Sequence, residues 1–133
     1  DLRRAGIRAD CLHGDIKQAT REKTMADFRH GKLPVLIATD VASRGIDVDD
    51  VDGVINYDVP EENEYYIHRI GRTGRARKKG ISFTLLGSFP EKAKLDEIAK
   101  FAGFRIVPMI FDEYGCLVPA PAEEKHPTSR RRF

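Results

Sequence analysis

Short apolar runs alternate with amphipathic stretches from the start of this chain to about residue 107, and that alternation constrains the fold more than any other feature. Ile7 to Leu12, Val35 to Ala38, Gly53 to Tyr57 and Ile81 to Leu86 read as strands. Pro34 opens the second of these, and its unbroken apolar run predicts a strand buried on both faces. Leu2 to Ala5 reads as the end of a helix stopped by Gly6. Lys17 to His30 reads as a helix in which Arg21, Met25 and Phe28 share a face and Gly31 supplies the stop. Asp58-Val59-Pro60 turns into an acidic-started helix holding Tyr65, Tyr66 and Ile67. Ser88-Phe89-Pro90-Glu91 has the form of a capping box with Pro at the first helical position, and Leu95, Ile98 and Ala102 continue its apolar face. Phe104 to Val107 reads as a last strand. Strand followed by helix, repeated, predicts an α/β domain with a mostly parallel sheet. In such open sheets ligands bind beyond the carboxyl ends of the strands.

The 133 residues suffice for one domain with a core of its own. We expect that domain to span 1–107. After Pro108 the pattern degrades: further prolines at 119, 121 and 127, Glu123-Glu124-Lys125 and Arg130-Arg131-Arg132 predict a loosely ordered extension over 108–133. Asp1 is a poor native start and suggests a fragment. Cys11 and Cys116 form neither a CxxC pair nor a zinc spacing, so buried structural thiols in a reduced, cytoplasmic compartment are expected. No apolar run approaches membrane-spanning length, and no signal peptide is expected.

A formal net charge of +2 conceals two adjacent patches of opposite sign. Ile46 to Glu64 contains eight acids and no Lys or Arg, whereas Tyr65 to Gly80 contains six Lys or Arg and no acid. Only the basic patch would attract nucleotide or nucleic acid. Within it, Arg72 and Arg75 lie i, i+3, so on a helical end they project from one face. Their planar forks match phosphate oxygens bidentately, while Gly71 and Gly74 remove bulk beside them. A solvated basic face is the alternative, but it needs neither the Gly-Arg-Thr-Gly-Arg order nor the apolar lead-in Tyr66, Ile67, Ile70.

Two further constellations follow predicted strand ends. Thr39-Asp40 and Ser43-Arg44-Gly45 offer hydroxyls, backbone amides and a cation suited to phosphate contact. Asp47 could accept hydrogen bonds from ribose hydroxyls; the alternative is that Asp40 and Asp47 cap turns. After His13, Gly14 lets the backbone approach a sugar-phosphate chain, with Gln18 and Arg21 one turn apart at a helix start. On their own, such Gln and Arg residues are more often simply solvated.

The run Tyr66-Ile67-His68-Arg69-Ile70-Gly71-Arg72-Thr73-Gly74-Arg75 resembles the arginine-finger motif of the DEAD-box RNA helicases of superfamily 2. Ala38-Thr39-Asp40-Val41-Ala42-Ser43-Arg44-Gly45-Ile46-Asp47 resembles that family's motif V. The resemblance runs from Leu2 to about Ile106. It implies the second, C-terminal RecA-like domain: a three-layer α/β/α fold whose first strand, motif IV, would lie upstream of Leu2 and is missing here. It further implies ATP with Mg²⁺ as cofactor, RNA as a backbone-contacted partner, and an N-terminal RecA-like domain of the same parent. By the same resemblance Arg75 is the finger with Arg72 beside it, Gly45 and Asp47 touch ATP, and Gly14, Gln18, Arg21 and Thr39 touch RNA. Arg44 and His68 would couple the two domains. Arg69, Arg77, Lys78 and Lys79 are expected to be surface charge.

The chain has no G-x-x-x-x-G-K-[ST] loop, since Gly31-Lys32-Leu33 lacks both spacing and hydroxyl, and no Asp-Glu-Ala-Asp quartet. Ile110-Phe111-Asp112-Glu113 imitates a metal-binding acid pair, but no phosphate loop accompanies it. Without a phosphate-binding Lys and Mg²⁺ acids, the fragment alone is expected to be inactive. The rival readings are another superfamily 2 helicase or translocase, in which Gln commonly stands where His68 does, and a non-catalytic RNA-binding module.

Overall fold

Two parallel strand pairs, each closed by a helical crossover, form the frame of the computed structural model, which describes residues 1–43, 48–74 and 79–122. Strand β1 (Ala9–Leu12) is followed by helix α1 (Gln18–Arg29) and strand β2 (Val35–Ala38), with Ala9 opposite Val35 and Leu12 opposite Ala38. A short helix α2 (Asp40–Ser43) leaves the end of β2. Strand β3 (Gly53–Asn56), helix α3 (Asn63–Ile70) and strand β4 (Ile81–Thr84) repeat the plan, with Gly53 opposite Ile81 and Asn56 opposite Thr84. Helix α4 (Phe89–Ala102) packs against α3. Parallel strands cannot be joined by a tight turn, so each pair needs its crossover, and the helical patterns between strands supply it.

The two pairs have separate cores. Leu12, Met25, Ala42 and Val48 form one, with Ile16, Phe28, Leu36 and Val51 packed around it. Tyr66, Leu95 and Ile98 form the other, joined by Val59, Ile70, Phe104 and Ile106. Side chains alternate across a strand. On the face of β3–β4 toward α3, Asn56 Nδ2 donates to Thr84 Oγ1 at 3.2 Å, and the Tyr66 hydroxyl shares a 2.9 Å hydrogen bond with the same oxygen. The opposite face carries Ile55, Ile81 and Phe83, with Ile55 70% exposed.

Helix α4 starts at Ser88, whose hydroxyl accepts from the Glu91 amide at 3.3 Å. The Glu91 carboxylate reaches back to the Gly87 amide at 2.7 Å, one residue beyond the usual partner in a capping box. Phe89 is the first helical residue and Pro90 the second, a shift of one from expectation. Gly103 ends the helix at φ 74°, in the left-handed region. An added Cβ would meet no neighbouring atom there, so the cost of Gly103→Ala is backbone strain alone. We expect a loss of about 1 kcal/mol in urea unfolding; an unchanged midpoint would contradict this.

Several expectations are corrected. Ile37 is 49% exposed, so β2 is not buried on both faces: among the described residues it pairs only with β1, and α1 covers one side. Ala99, not Ala102, completes the buried face of α4. Leu2 to Ala5 forms turns, with Gly6 at φ 81°, and not a helix end. The residues following β2 form α2 and not a loop. Phe104 to Val107 is not a strand: Phe104 and Ile106 insert into the second core, and the Phe104 ring stacks on Tyr66 with centroids 5.8 Å apart. The strand comes later. Beyond Pro108, where a loosely ordered extension was expected, β5 (Met109–Phe111) and β6 (Leu117–Pro119) form an antiparallel hairpin. Asp112 fixes its turn by accepting from the Tyr114 and Cys116 amides at 2.9 and 2.8 Å, which gives that carboxylate a turn-capping role. Both cysteines are exposed, not buried. Residues 123–133, the rest of the expected extension, lie outside the described residues.

Candidate functional site

Two of the segments singled out in the sequence, His13-Gly14 and Thr39, stand at the carboxyl ends of strands. Leu12 and Ala38 are partners at the ends of β1 and β2, so His13-Gly14 and Thr39 leave adjacent strand ends side by side. Gly14 is exposed, and nothing lies within 4 Å of where its Cβ would be, which leaves room for another chain to approach its backbone. His13 Nδ1 accepts from the Asp15 amide at 3.3 Å, a local turn contact. Gln18 sits exposed at the first position of α1 and donates to Glu22 at 3.3 Å.

Helix α2 is the junction of the site. The Thr39 hydroxyl accepts from the Ala42 amide at 3.2 Å, and the Thr39 carbonyl accepts from the Ser43 amide at 2.9 Å. Arg21, one turn into α1, sends Nη2 to the Ala42 carbonyl at 2.9 Å. Part of its guanidinium is therefore committed to holding α2, a role that its sequence context did not announce. From the other side Arg69 of α3 grips Asp40, Nε to Oδ1 at 2.7 Å and Nη2 to Oδ2 at 2.6 Å. Its Nη1 donates to the Asp58 carbonyl at 2.9 Å and to Asp58 Oδ1 at 3.0 Å. The hydrogen bonds to Asp40 raise the Arg69 pKa above its ordinary value, against burial, which lowers it; Asp58 adds to the rise. A raised pKa stabilises the fold wherever the guanidinium is charged in both states, so this contribution is constant across the neutral range.

The expectation that Arg69 is surface charge is therefore wrong. Its side chain is only 20% exposed. The signal was present, since Arg69 follows the buried Tyr66 by three residues and so shares its face of α3.

Arg72 follows α3 within the turn that ends it. Two contacts fix this turn to the segment before β3: the Val51 amide donates to the Arg72 carbonyl at 3.1 Å, and the Thr73 hydroxyl donates to the Val51 carbonyl at 2.6 Å. Gly74 at φ 71° lets the chain turn back. Arg72 Nη1 stands 3.9 Å from Asp49 Oδ1, too long for a hydrogen bond. His68 is exposed beside Arg69. Arg44, Gly45, Asp47 and Arg75 lie outside the described residues. No group of three His, Cys, Asp or Glu that could hold a metal occurs among the described residues. A hollow of about 310 Å³ lined by Arg3, Gly6, Ile7, Arg8, Ala9, Asp10 and Leu33 lies at the amino end of β1, away from these residues. No described helix is long and apolar enough to cross a membrane.

Residues 1–77 match the helicase conserved C-terminal domain family. This chain belongs to the helicase C-terminal domain family, in its DEAD-box branch. The helicase domain is 47% identical over 111 residues to the probable ATP-dependent RNA helicase DDX17 of Homo sapiens, covering 82% of this chain and 15% of that protein. It superposes on the C-terminal domain of the DEAD-box protein Dbp5 with a TM-score of 0.72 and 39% identity, over 77% of this chain and 60% of that one. The structure of S. cerevisiae Dbp5 bound to RNA and ADP BeF3 gives a TM-score of 0.70 at 39% identity, over 77% of this chain and 28% of that one. The RecA-like α/β architecture expected from the sequence is thus the fold of this helicase domain.

Proposed function

We propose that this domain is the second RecA-like half of an ATP-dependent RNA helicase, spanning 1–107 with residues beyond 108 as an appendage. The observation that carries the reading is the pairing of Leu12 with Ala38, which sets Gly14 and Thr39 side by side beyond the carboxyl ends of β1 and β2, in a domain whose relatives are named ATP-dependent RNA helicases. ATP, when bound, supplies the phosphoanhydride whose cleavage drives the cycle. Arg75 serves as the arginine finger, with Arg72 beside it on the terminal phosphate, and Gly45 and Asp47 contact the nucleotide. Arg72 suits that role because its side chain is 32% exposed while its backbone is pinned at Val51. Phosphoryl transfer is largely positioning and charge stabilisation, which fixed guanidinium forks provide.

Gly14, Gln18, Arg21 and Thr39 hold the sugar-phosphate backbone of RNA, which binds without reading bases. Arg44 and His68 couple this half to an N-terminal RecA-like domain. No group of acids suited to Mg²⁺ occurs among the described residues; the metal ligands and the phosphate loop are assigned to that first domain on the family resemblance. This domain alone is expected to be inactive.

Gln18→Ala offers a clean test, because that side chain bonds only within α1. In a helicase containing this domain, its loss should weaken RNA binding between about twofold and tenfold, equally on unrelated sequences, with unchanged thermal stability. Unchanged RNA affinity, together with ATP hydrolysis that RNA does not stimulate, would refute the reading.

A further inference from the structure

The two cores of this domain share no strand ladder among the described residues, yet the residues assigned to RNA and to phosphate fall on opposite sides of that division. Thr39 belongs to the β1–β2 side. Arg72 follows α3 on the β3–β4 side, and its turn touches the first core only through Val51, before β3, among the contacts described above. Something must hold them in register if binding at one is to be felt at the other.

We propose that Arg69 is a positioning residue, a clamp whose fork on Asp40 locks α2 to α3 so that Thr39 and Arg72 move as one body. The clamp rests on the functional reading above for what it couples, but not for its existence. Its geometry is specific. Both oxygens of Asp40 are taken by one guanidinium at 2.6 and 2.7 Å, and the remaining nitrogen is anchored by Asp58 just past the end of β3. Asp40 is the residue after Thr39 and the first of α2; Arg69 lies three residues before Arg72 on the α3 rod. The lever arms are therefore short at both ends. Helix α2 is held a second time by Arg21 through the Ala42 carbonyl, which ties the clamp to α1. Four residues of helix could not keep this orientation unaided, since isolated turns are marginal in water.

The ion pair is also placed where a charged pair has most effect. The side chains of Arg69 and Asp40 are only 20% and 30% exposed, so solvent screens them less than it does the i, i+4 pair of Lys92 and Asp96. A lysine could not reproduce the contact, because an ammonium cannot span both carboxylate oxygens and Asp58 together. The same fork makes Arg69 unavailable to RNA phosphate, so its role differs from that of Arg72 although both lie in one basic run.

Two variants test the clamp. Arg69→Met removes it but leaves Asp40 without its partner fork, so the double variant Arg69→Met with Asp40→Asn removes both charges and avoids a stranded carboxylate. Hydrogen exchange of the 133-residue chain reads the mechanical part. With the clamp in place, the slowest amides of β1–α1–β2 and of α3–α4 should open together. In both variants the β1–α1–β2 side should exchange roughly tenfold faster than α3–α4, as separate cooperative units do.

The functional part is read in a helicase containing this domain, as the gain in RNA affinity produced by a non-hydrolysable ATP analogue. That gain should fall roughly tenfold in the double variant, and Arg69→Lys should restore little of it. Uniform exchange in both variants would overturn the clamp. Split exchange with the RNA–nucleotide coupling intact would overturn its positioning role. A wild-type protein with no such coupling would instead overturn the functional reading, and the exchange pattern would still decide the clamp.

Discussion

Replacing Arg75 by alanine in a helicase containing this domain should lower ATP hydrolysis by roughly 10³–10⁵-fold, with RNA binding in the absence of nucleotide nearly unchanged. The size of the effect follows from what a finger does. A guanidinium delivered to the terminal phosphate meets charge that spreads over its oxygens in the transition state, in a cleft from which water is excluded. Arg75→Lys should remain severely impaired, because a point charge does not replace a planar fork.

Steady-state hydrolysis at saturating RNA, with RNA affinity measured separately, distinguishes this from a folding defect. Arg72→Ala should also lose activity, by a smaller factor. Its backbone, which accepts from the Val51 amide, keeps the turn in place after the side chain is gone. Hydrolysis and unwinding that survive Arg75→Ala would favour the rival in which this fold serves only to bind RNA.

Much of this architecture was legible because its punctuation is local. Pro34 marked the start of β2 correctly, Gly31 at φ 75° followed α1, and Ser88 with Glu91 fixed the start of α4. Each of these is decided within a few residues. Errors came where a distant partner decides. Phe104 and Ile106 alternate as in a strand, but alternation also serves two side chains dropping into a helical core, and among the described residues no strand pairs with them. The hairpin was hidden by Pro108 and Pro119, which read as breakers. Pro119 is tolerated because β6 pairs on one side only, where its missing amide costs little.

At the site, the motifs announced that His13-Gly14 and Thr39 follow strand ends, since a parallel α/β frame allows few other places. They did not announce which arginines hold the protein together. Arg21 and Arg69 look like Arg72 in sequence, and the difference lies in which carbonyl or carboxylate comes within hydrogen-bond reach after folding. Part of that was recoverable. An acidic run directly preceding a basic one predicts internal pairing as readily as an external ligand, and Asp58 of that run found Arg69.

Ile98→Ala should cost the fold about 2–5 kcal/mol in urea unfolding, well above the loss expected for Gly103→Ala. Ile98 is 0% exposed and lies between Leu95 and Tyr66 at the centre of the second core. Truncating it to a methyl group forfeits the transfer free energy of the lost carbons and leaves a cavity. The stacked rings of Tyr66 and Phe104 would have to move to fill it, at the expense of their own contacts. Domains of this size are stable by about 5–15 kcal/mol, so the variant should be marginal at physiological temperature.

Phe101→Ala, on the exposed side of the same helix, provides the control and should shift stability by less than about 0.5 kcal/mol. The contrast bears on function as well as folding. Helix α3 rests on α4 through this core, and the end of α3 carries the turn that presents Arg72. A softened core should therefore weaken catalysis more than RNA affinity, because the residues proposed to hold RNA lie on the β1–β2 side. Equal unfolding midpoints for the Ile98 and Phe101 variants would mean that α4 is not the platform on which the turn carrying Arg72 stands.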